Sequence, residues 1–311
     1  MSDDARRLPV VQPGRAGTIP ATGDPPIFDK VAIVGFGLIG GSIALAARQL
    51  WPAGFVIGVD DKAVLERAMV RHAIDVAADD PVVMAEADLV ILAAPVRDNL
   101  TILADLEQHV SGHAVVTDVG SAKRDIVSAA RALPTRLTFI GGHPLGGAPR
   151  SGFDQARPDL FQTRPWLFTP TDDHDPEALD RLRRFVTALG ATPHVVTAEA
   201  HDRLMAFLSH LPQLAASALM HVVGEEIGAE GLSLSGRGLS DTTRLASSPA
   251  DIWRDICATN EDEIHVALDR LIAELETIRD GLSDGGAIDR VFESAGAWRE
   301  VMAAGSRTAG R

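Results

Sequence analysis

A histidine at residue 143 stands between a glycine pair and a proline, in the stretch IGGHPLGGAPRSG (140–152). Histidine is the side chain whose charge ordinarily changes near neutral pH, so it commonly takes or gives protons in catalysis. Pro144 restricts the backbone of His143 to extended conformations. A lone histidine is more often structural, so the role of His143 depends on the residues that the fold places around it.

Three glycines form a second group with chemical meaning. Gly35, Gly37 and Gly40 make the pattern GxGxxG between a strand-like run and a helical pattern, and Asp60 follows twenty residues after Gly40. The glycines suit a tight turn, a close approach to a pyrophosphate and close helix packing, respectively. Asp60 could accept hydrogen bonds from ribose hydroxyls, and no arginine stands near it for a 2′-phosphate. The pattern favours NAD over NADP; the alternative is a glycine turn that binds no nucleotide.

The elements that position these residues alternate between strand and helix. Strand-like runs lie at 31–37, 55–60, 87–95, 113–120 and 136–142, with helical patterns between them. This order predicts a parallel sheet covered on both faces, with ligands beyond the carboxyl ends of its strands. The predicted cofactor-binding residues are Gly35, Gly37, Leu38, Ile39, Gly40, Asp60, Ala94, Pro95 and Ser121.

The second half is predicted to be helical, after further strand-like runs near 163–170 and 191–197. Residues 199–228 form one long apolar pattern with a polar stripe on one face: Asp202, Ser209 and Gln213, flanked by His210 and Ser217. An unpaired buried polar group costs about 1–3 kcal/mol, so the stripe needs partners. These are either core hydrogen bonds or a substrate facing the nucleotide crevice. Pro212 is expected to bend the helix.

A polar segment at 236–253 follows and is predicted to be a loop. Arg244 lies there among threonines and small residues, where its guanidinium suits a carboxylate; the alternative is a surface arginine. The predicted organisation is a disordered tail (1–27), a dinucleotide-binding domain (28–197) and a helical substrate and dimerisation domain (198–311).

Composition limits the partners. The 311-residue chain has a formal net charge of −14, which argues against nucleic acid or an anionic membrane as partner. An anionic substrate would then need local arginines. The single cysteine, Cys257, excludes an internal disulfide and fits a reducing compartment, so we expect a cytoplasmic protein. No run approaches the ~20 apolar residues of a membrane span, and no metal site is predicted.

Together these residues resemble the prephenate/arogenate (cyclohexadienyl) dehydrogenases of tyrosine biosynthesis. The resemblance covers residues ~30 to ~300 and rests on stretches that occur in order: VAIVGFGLIGGSIA, DVGSAKRD, GGHPLGGAPRSG, DLFQTRPWLFTP, HDRLMAFLSHLPQ and DTTRLASSPADIWRDI. It implies a Rossmann-type α/β domain followed by an all-α dimerisation domain, and a homodimer. It also implies NAD-dependent oxidative decarboxylation of prephenate to 4-hydroxyphenylpyruvate, or of arogenate to tyrosine.

The resemblance also implies residue roles. His143 would be the catalytic base, aided by Ser121, which could also cap a helix starting at Ala122. Arg244 would bind a substrate carboxylate. Gly141 and Gly142 carry no side chains, so the nicotinamide could approach closely. The implied substrate-binding set is Arg244, His201, Asp202, Ser209, His210 and Gln213.

Two departures and two rival functions stay open. Ala148 and Pro149 follow GGHPLGG where many members have a threonine or glutamate, and Gln213 stands where many prephenate-using members have histidine. A neutral Gln213 leaves prephenate and arogenate as alternatives. A β-hydroxyacid dehydrogenase would need a lysine on the long helix, and residues 199–228 contain none. A non-catalytic NAD sensor would need neither His143 nor Arg244.

Overall fold

The protein is described from a computed structural model, which describes residues 12–13, 25–146, 151–283 and 285–308. Ala148, Pro149 and most of the predicted tail lie outside these ranges. The strands are β1 (Gln12–Pro13), β2 (Lys30–Val34), β3 (Phe55–Val59), β4 (Val76–Ala78), β5 (Leu89–Leu92), β6 (Ala114–Asp118), β7 (Leu137–Pro144), β8 (Pro165–Thr169) and β9 (Thr192–Val195).

Helices α1 to α5 alternate with the strands, and the described residues after β9 form helices and turns. They are α1 (Leu38–Leu50), α2 (Lys62–Val70), α3 (Val96–His109), α4 (Arg124–Ala130), α5 (Pro176–Ala188), α6 (Ala198–Met205), α7 (Leu211–Leu232), α8 (Arg237–Thr242), α9 (Ala250–Thr259), α10 (Glu261–Asp280) and α11 (Gly286–Thr308). A π-helical turn, Ala206–His210, joins α6 to α7, and a 3₁₀ turn, Arg244–Ser247, follows α8.

The strands form one nine-stranded sheet in the order β1-β9-β8-β7-β6-β5-β2-β3-β4. From β4 to β7 all neighbours are parallel, and the chain reverses its direction of growth between β2 and β5. This is the doubly wound order, which opens a ligand crevice at the carboxyl ends of β2 and β5. β8 runs antiparallel to β7. The predicted Rossmann-type domain is therefore confirmed, with the short β4 as a strand that the sequence patterns did not indicate.

Apolar side chains cover both faces of the sheet. One core cluster packs α1 and α5 against one face around Ile33, Ile91 and Phe168. The other packs α3 and α4 against the opposite face around Val90 and Val116. Each of these strand residues is buried on its face, which accounts for the almost uninterrupted apolar runs of the central strands.

The compact units of the structure are grouped differently from the predicted domains. The chain divides into compact units at residues 1–260 and 261–311, because α6 packs on α4 and α9 packs on α3. The boundary at residue 197 stays a prediction. Gln12–Pro13 pairs with β9 at the sheet edge, so a wholly disordered tail is wrong for these two residues. An edge strand exposes unpaired backbone groups that a passing segment can bond.

The long helical segment is more apolar over its length than expected. Residues 198–232 are long and apolar enough to cross a membrane by length and hydropathy alone, which the sequence analysis did not anticipate. The segment nevertheless holds the buried Asp202 and the exposed Glu225, Glu226 and Glu230. Ionised carboxylates are costly in hydrocarbon, so these residues disfavour a spanning role.

The segment at 236–253 is also more ordered than the predicted loop. Its first part is α8, followed by the 3₁₀ turn. The hydroxyls of Thr242 and Thr243 donate to the carbonyls of Gly238 and Leu239, four residues earlier. These bonds close the end of α8 and determine where the turn that carries Arg244 begins.

Candidate active site

Helices α1, α3 and α4 begin at the carboxyl edge of the sheet, and two of these N-termini are occupied by carboxylates. Asp202 of α6 accepts hydrogen bonds from the backbone N–H groups of Lys123 (2.7 Å) and Arg124 (3.0 Å) at the start of α4. Asp255 of α9 accepts from Val96 N–H (2.8 Å) at the start of α3. Of these three helices, α1 has no such side-chain cap, so its N-terminus is open to an anionic ligand.

The three glycines at the start of α1 are glycine for different reasons. Gly35 has φ +95°, and a Cβ there would lie 2.6 Å from the backbone of Ala93. A Cβ on Gly40 would lie 2.0 Å from the Gly35 carbonyl oxygen. A Cβ on Gly37 would meet nothing within 4 Å. The protein's own packing requires Gly35 and Gly40, whereas Gly37 faces open space that a dinucleotide can occupy.

The other predicted cofactor residues border this opening. The Asp60 carboxylate accepts hydrogen bonds from Phe36 N–H and Asp61 N–H, which ties the glycine turn to the end of β3. Each oxygen keeps a lone pair for a ribose hydroxyl. Leu38 and Ile39 are half-buried on the first turn of α1.

The turn after β5 is held by a residue that sequence reasoning missed. Asn99 is fully buried; its Oδ1 accepts from Ala94 N–H (3.2 Å), and its Nδ2 donates to the carbonyls of Leu92 (3.2 Å) and Ala94 (2.9 Å). The side chain thereby shapes the Ala94–Pro95 edge of the crevice. The only sequence signal was a polar residue within an otherwise apolar helical face.

His143, near the end of β7, starts a chain of hydrogen bonds. Its Nδ1 lies 2.8 Å from Nε2 of His201, and Nδ1 of His201 lies 2.8 Å from Oδ1 of Asp202. His201 and Asp202 are fully buried, and His143 is half-buried. Thr197 caps α6 by accepting from Ala200 N–H, so the start of that helix places both partners beside β7.

The hydrogen bonds determine which nitrogen of each ring carries hydrogen. A carboxylate only accepts, so Nδ1 of His201 donates to Asp202 and Nε2 of a neutral His201 must accept. Nδ1 of His143 is then the donor in the bond between the rings. Nε2 of His143 consequently carries the lone pair, which is the atom able to take a proton.

Burial keeps the imidazoles of this chain neutral. Burial is the largest cause that holds the pKa of His143 well below its usual value, and the nearby His201, Lys123 and His210 lower it further. Burial likewise lowers the pKa of His201. Burial would raise the pKa of Asp202, but the bonds from His201 and the amides of α4 outweigh it, so its pKa is lowered. A neutral base and an ionised carboxylate are therefore present at neutral pH.

A buried ion pair supports the strand that carries His143. The ammonium of Lys123 and the Asp118 carboxylate are fully buried against each other. Asp118 also accepts from Gly120 N–H (2.8 Å) and Gly142 N–H (3.1 Å). Burial lowers the pKa of Lys123, and Asp118 opposes that shift. The pair joins the ends of β6 and β7 to the start of α4.

Contacts within the protein explain why residues 141 and 142, just before His143, are glycines. A Cβ on Gly141 would lie 2.3 Å from Oγ1 of Thr169, and a Cβ on Gly142 would lie 2.6 Å from the Asp118 carbonyl oxygen. Both glycines are buried. Neighbouring protein atoms therefore already require glycine at both positions, and the close approach of a nicotinamide stays a prediction.

Ser121 does not cap α4. The helix begins at Arg124 with Lys123 in the capping position, and the carboxylate of Asp202 satisfies its first amides. Ser121 is half-buried at the end of β6, on the same sheet edge as His143. A capping role was the local interpretation; a side chain distant in sequence performs it instead.

The polar stripe on the long helix has a different register from the predicted one. His210 is fully buried and Ser209 is exposed, although the even helical spacing had placed Ser209 on the stripe. The π-helical turn before Pro212 winds less per residue, so each following side chain lags around the axis. Pro212 lacks the N–H that a regular turn would use, which accounts for the irregular turn here.

His210 has a buried ring nitrogen without a hydrogen-bond partner among the described residues. Asn260 donates to Nδ1 of His210 (3.3 Å), so the hydrogen lies on Nε2. Within the described chain that Nε2–H has no hydrogen-bond partner. Burial lowers the pKa of His210 to about 4, so the ring is neutral. A buried donor without a partner indicates a place for a ligand oxygen.

Arg244 is free to bind a ligand, whereas Gln213 is hydrogen-bonded within the protein. Arg244 is exposed and forms no ion pair within the described residues, so its guanidinium is available to a substrate. Gln213 is 5% exposed and donates to the Leu245 carbonyl and the Ser217 hydroxyl. The structure thus brings His143, His201, Asp202 and His210 together, and places Gln213 against the turn that carries Arg244.

Comparisons with known proteins bear on the chain as a whole. Residues 43–195 match the family model described as prephenate dehydrogenase, nucleotide-binding domain. Residues 197–294 match the one described as prephenate dehydrogenase, dimerization domain. The chain belongs to the prephenate dehydrogenase family. The resemblance and the order of the two parts are thereby confirmed.

Individual members of the family carry three kinds of name. The prephenate dehydrogenase of Bacillus subtilis is 34% identical, over 88% of this chain and 76% of its own length. The cyclohexadienyl dehydrogenase of Zymomonas mobilis is 31% identical, over 83% and 89%. The crystal structure of Synechocystis arogenate dehydrogenase is 30% identical with a TM-score of 0.75, over 88% of this chain and 99% of that one.

A further solved relative contains ligands. It is prephenate dehydrogenase from Aquifex aeolicus in complex with hydroxyphenyl propionate and NAD+, which is 27% identical with a TM-score of 0.81. The alignment covers 88% of this chain and 98% of that one.

Proposed function

We propose that this protein is an NAD-dependent dehydrogenase that oxidatively decarboxylates prephenate to 4-hydroxyphenylpyruvate in tyrosine biosynthesis. The observation that carries the proposal is the chain from Asp202 through His201 to His143, which ends at the edge of the nucleotide crevice. It presents a neutral base where a cofactor and a small ring acid could meet.

The opening at α1 fits NAD. The N-terminal amides of α1 would hold the pyrophosphate over Gly37, and Asp60 would accept from the ribose hydroxyls. Bound NAD supplies the hydride acceptor. The protein's part is to bind and orient the two reactants and to manage the proton.

His143 takes that proton. Hydride loss from the ring carbinol carbon becomes easier as the hydroxyl proton moves to Nε2 of His143. The Nδ1–H of His143 stays bonded to His201, whose own Nδ1–H stays bonded to the ionised Asp202. The carboxylate thereby stabilises positive charge on the pair of rings when the proton arrives.

Two groups are suited to bind the substrate. Arg244 would pair with a carboxylate, since it has no competing ion pair within the described residues. The Nε2–H of His210 would donate to a substrate oxygen. His201 and Asp202 had been expected to touch substrate; their polar atoms are committed to each other and to α4, so we assign them to positioning instead.

Arogenate is the second candidate substrate, because relatives of similar identity are named for prephenate, arogenate or both. The first experiment is NADH formation by the purified protein with each acid offered separately at equal concentration. Turnover of prephenate supports the proposal, turnover of arogenate alone moves it to the second candidate, and turnover of neither refutes both.

A base variant tests the assignment of His143. The His143→Asn variant should lose about 10²- to 10⁴-fold in kcat, the usual contribution of a general base, while NAD binding is retained. The comparison uses stopped-flow or steady-state NADH absorbance and a separate NAD titration. A kcat within threefold of wild type would place the base elsewhere.

We also propose a homodimer formed through the helical half and a cytoplasmic location. Large apolar side chains stay exposed on α7 (Val222, Ile227) and on α11, where Phe292 and Trp298 are each 70% exposed. Such faces mark interfaces in proteins of this size. Light scattering should give twice the chain mass for wild type and a shift to monomer for Trp298→Glu. Cell fractionation tests the location.

A further inference from the structure

We propose that Gln213 is a positioning residue that holds the Arg244-bearing turn against α7, and that it does not itself bind the substrate side chain. The proposal rests on the proposed function, because Arg244 is taken to bind a substrate carboxylate. If the proposal is right, the residue at position 213 does not decide between prephenate and arogenate as substrate.

The orientation of the Gln213 amide is determined by its partners. Nε2 donates to the Leu245 carbonyl oxygen at 2.8 Å and to the Ser217 hydroxyl at 3.2 Å. Oε1 accepts from the Ser248 hydroxyl at 3.1 Å. A backbone carbonyl only accepts, so the nitrogen of the amide must face Leu245.

This arrangement leaves Gln213 without a donor for a ligand. An amide nitrogen has two hydrogens, and both are used within the protein. A substrate carboxylate needs donors, so it has nothing to gain from Gln213. The one lone pair left on Oε1 belongs to a side chain that is only 5% exposed.

The bonds hold one short turn at two points. Leu245 is the second residue of the 3₁₀ turn that starts at Arg244, and Ser248 directly follows its last residue. On the α8 side, the Thr243 hydroxyl donates to the Leu239 carbonyl just before the turn. Gln213 thus hydrogen-bonds the turn to α7, and we infer that the position of the Arg244 guanidinium depends on these bonds.

Glutamine suits this task better than histidine. A neutral imidazole has one donor and one acceptor on opposite sides of a rigid ring. It could not donate to both Leu245 and Ser217 while accepting from Ser248. In this chain, a histidine at position 213 would thus release part of the turn rather than add a substrate contact.

Gln213→Met tests the proposal, because methionine keeps the length and removes all three bonds. KM for prephenate should rise about tenfold with kcat within twofold of wild type, and the affinity for NAD should not change. Whichever of prephenate and arogenate are turned over should show the same factor. Amide hydrogen exchange of residues 244–248 should become faster.

The double variant with Arg244→Gln provides the decisive comparison. If Gln213 acts through Arg244, Gln213→Met adds no further rise in KM once Arg244 is gone. Additive effects, a changed ratio of prephenate to arogenate use, or unchanged exchange at 244–248 would each overturn the proposal.

A second variant guards against misfolding. Ser248→Ala removes only one of the three bonds and should shift exchange and KM in the same direction by a smaller factor; no shift would count against the proposal. If the wild-type protein turns over neither acid, the proposed function fails, while the exchange measurement still decides whether Gln213 holds the turn.

Discussion

Replacing His201 with leucine removes the group that determines which nitrogen of His143 carries hydrogen. Nδ1 of His143 then loses its acceptor at 2.8 Å in a buried site. Leaving a buried donor unpaired costs about 1–3 kcal/mol; alternatively, the hydrogen moves to Nε2 and the base is lost. A cost of that size in the transition state corresponds to about a 5- to 150-fold fall in kcat.

The matched control is His201→Gln. Its amide oxygen can accept from His143 while its nitrogen donates to Asp202, so both bonds of the native imidazole have a replacement. We expect kcat of this variant to recover most of the loss seen with leucine. Asp202 keeps its bonds from Lys123 and Arg124 in both variants, so the start of α4 should be unaffected.

The assay is steady-state NADH formation with both reactants saturating, together with ¹⁵N spectra of the histidine rings. The spectra should show hydrogen on Nδ1 of His143 in wild type and a mixture of both forms in the leucine variant. Because the pKa of His143 is held well below its usual value, wild-type kcat should stay level as pH falls through 6.5. An unchanged kcat with leucine, or equal losses with leucine and glutamine, would refute the reasoning.

Further predictions concern the substrate, the cofactor and stability. Arg244→Gln should raise KM for the acid substrate by about 10- to 150-fold, the value of a charged hydrogen bond, with kcat much less affected in the same kinetic assay. Gly37→Ala should leave Tm unchanged but raise the Kd of NAD about tenfold, whereas Gly40→Ala should lower Tm, since its Cβ would lie 2.0 Å from a carbonyl oxygen; calorimetry and NAD titration distinguish the two. The unfolded chain protonates His210 below about pH 6.5 and the folded chain only near 4, so stability falls as pH drops through that window. The unfolding free energy lost between neutral pH and pH 5 should be about 2 kcal/mol smaller in His210→Gln than in wild type, as measured by urea unfolding.

Local sequence determined those features that depend on near neighbours along the chain. The alternation of apolar strands and helices specified the doubly wound sheet, because each strand needs both faces covered. Gly40 is needed where it stands because its Cβ would meet the carbonyl oxygen of Gly35, five residues earlier. Pro144 and the strand before it indicated where His143 would lie, and the order of the motifs identified the family.

Tertiary structure decided how the polar side chains are used. The acceptor for His143 is 58 residues away, and the cap of α4 comes from Asp202, 79 residues beyond Lys123; no local pattern specifies such pairs. The π-helical turn moved His210 inward in place of Ser209, because its register depends on how Pro212 is accommodated. Gln213 looked like a residue that recognises substrate, yet its donors are taken by a turn 32 residues away. A side chain's type sets which bonds it can form; the fold alone supplies the partners.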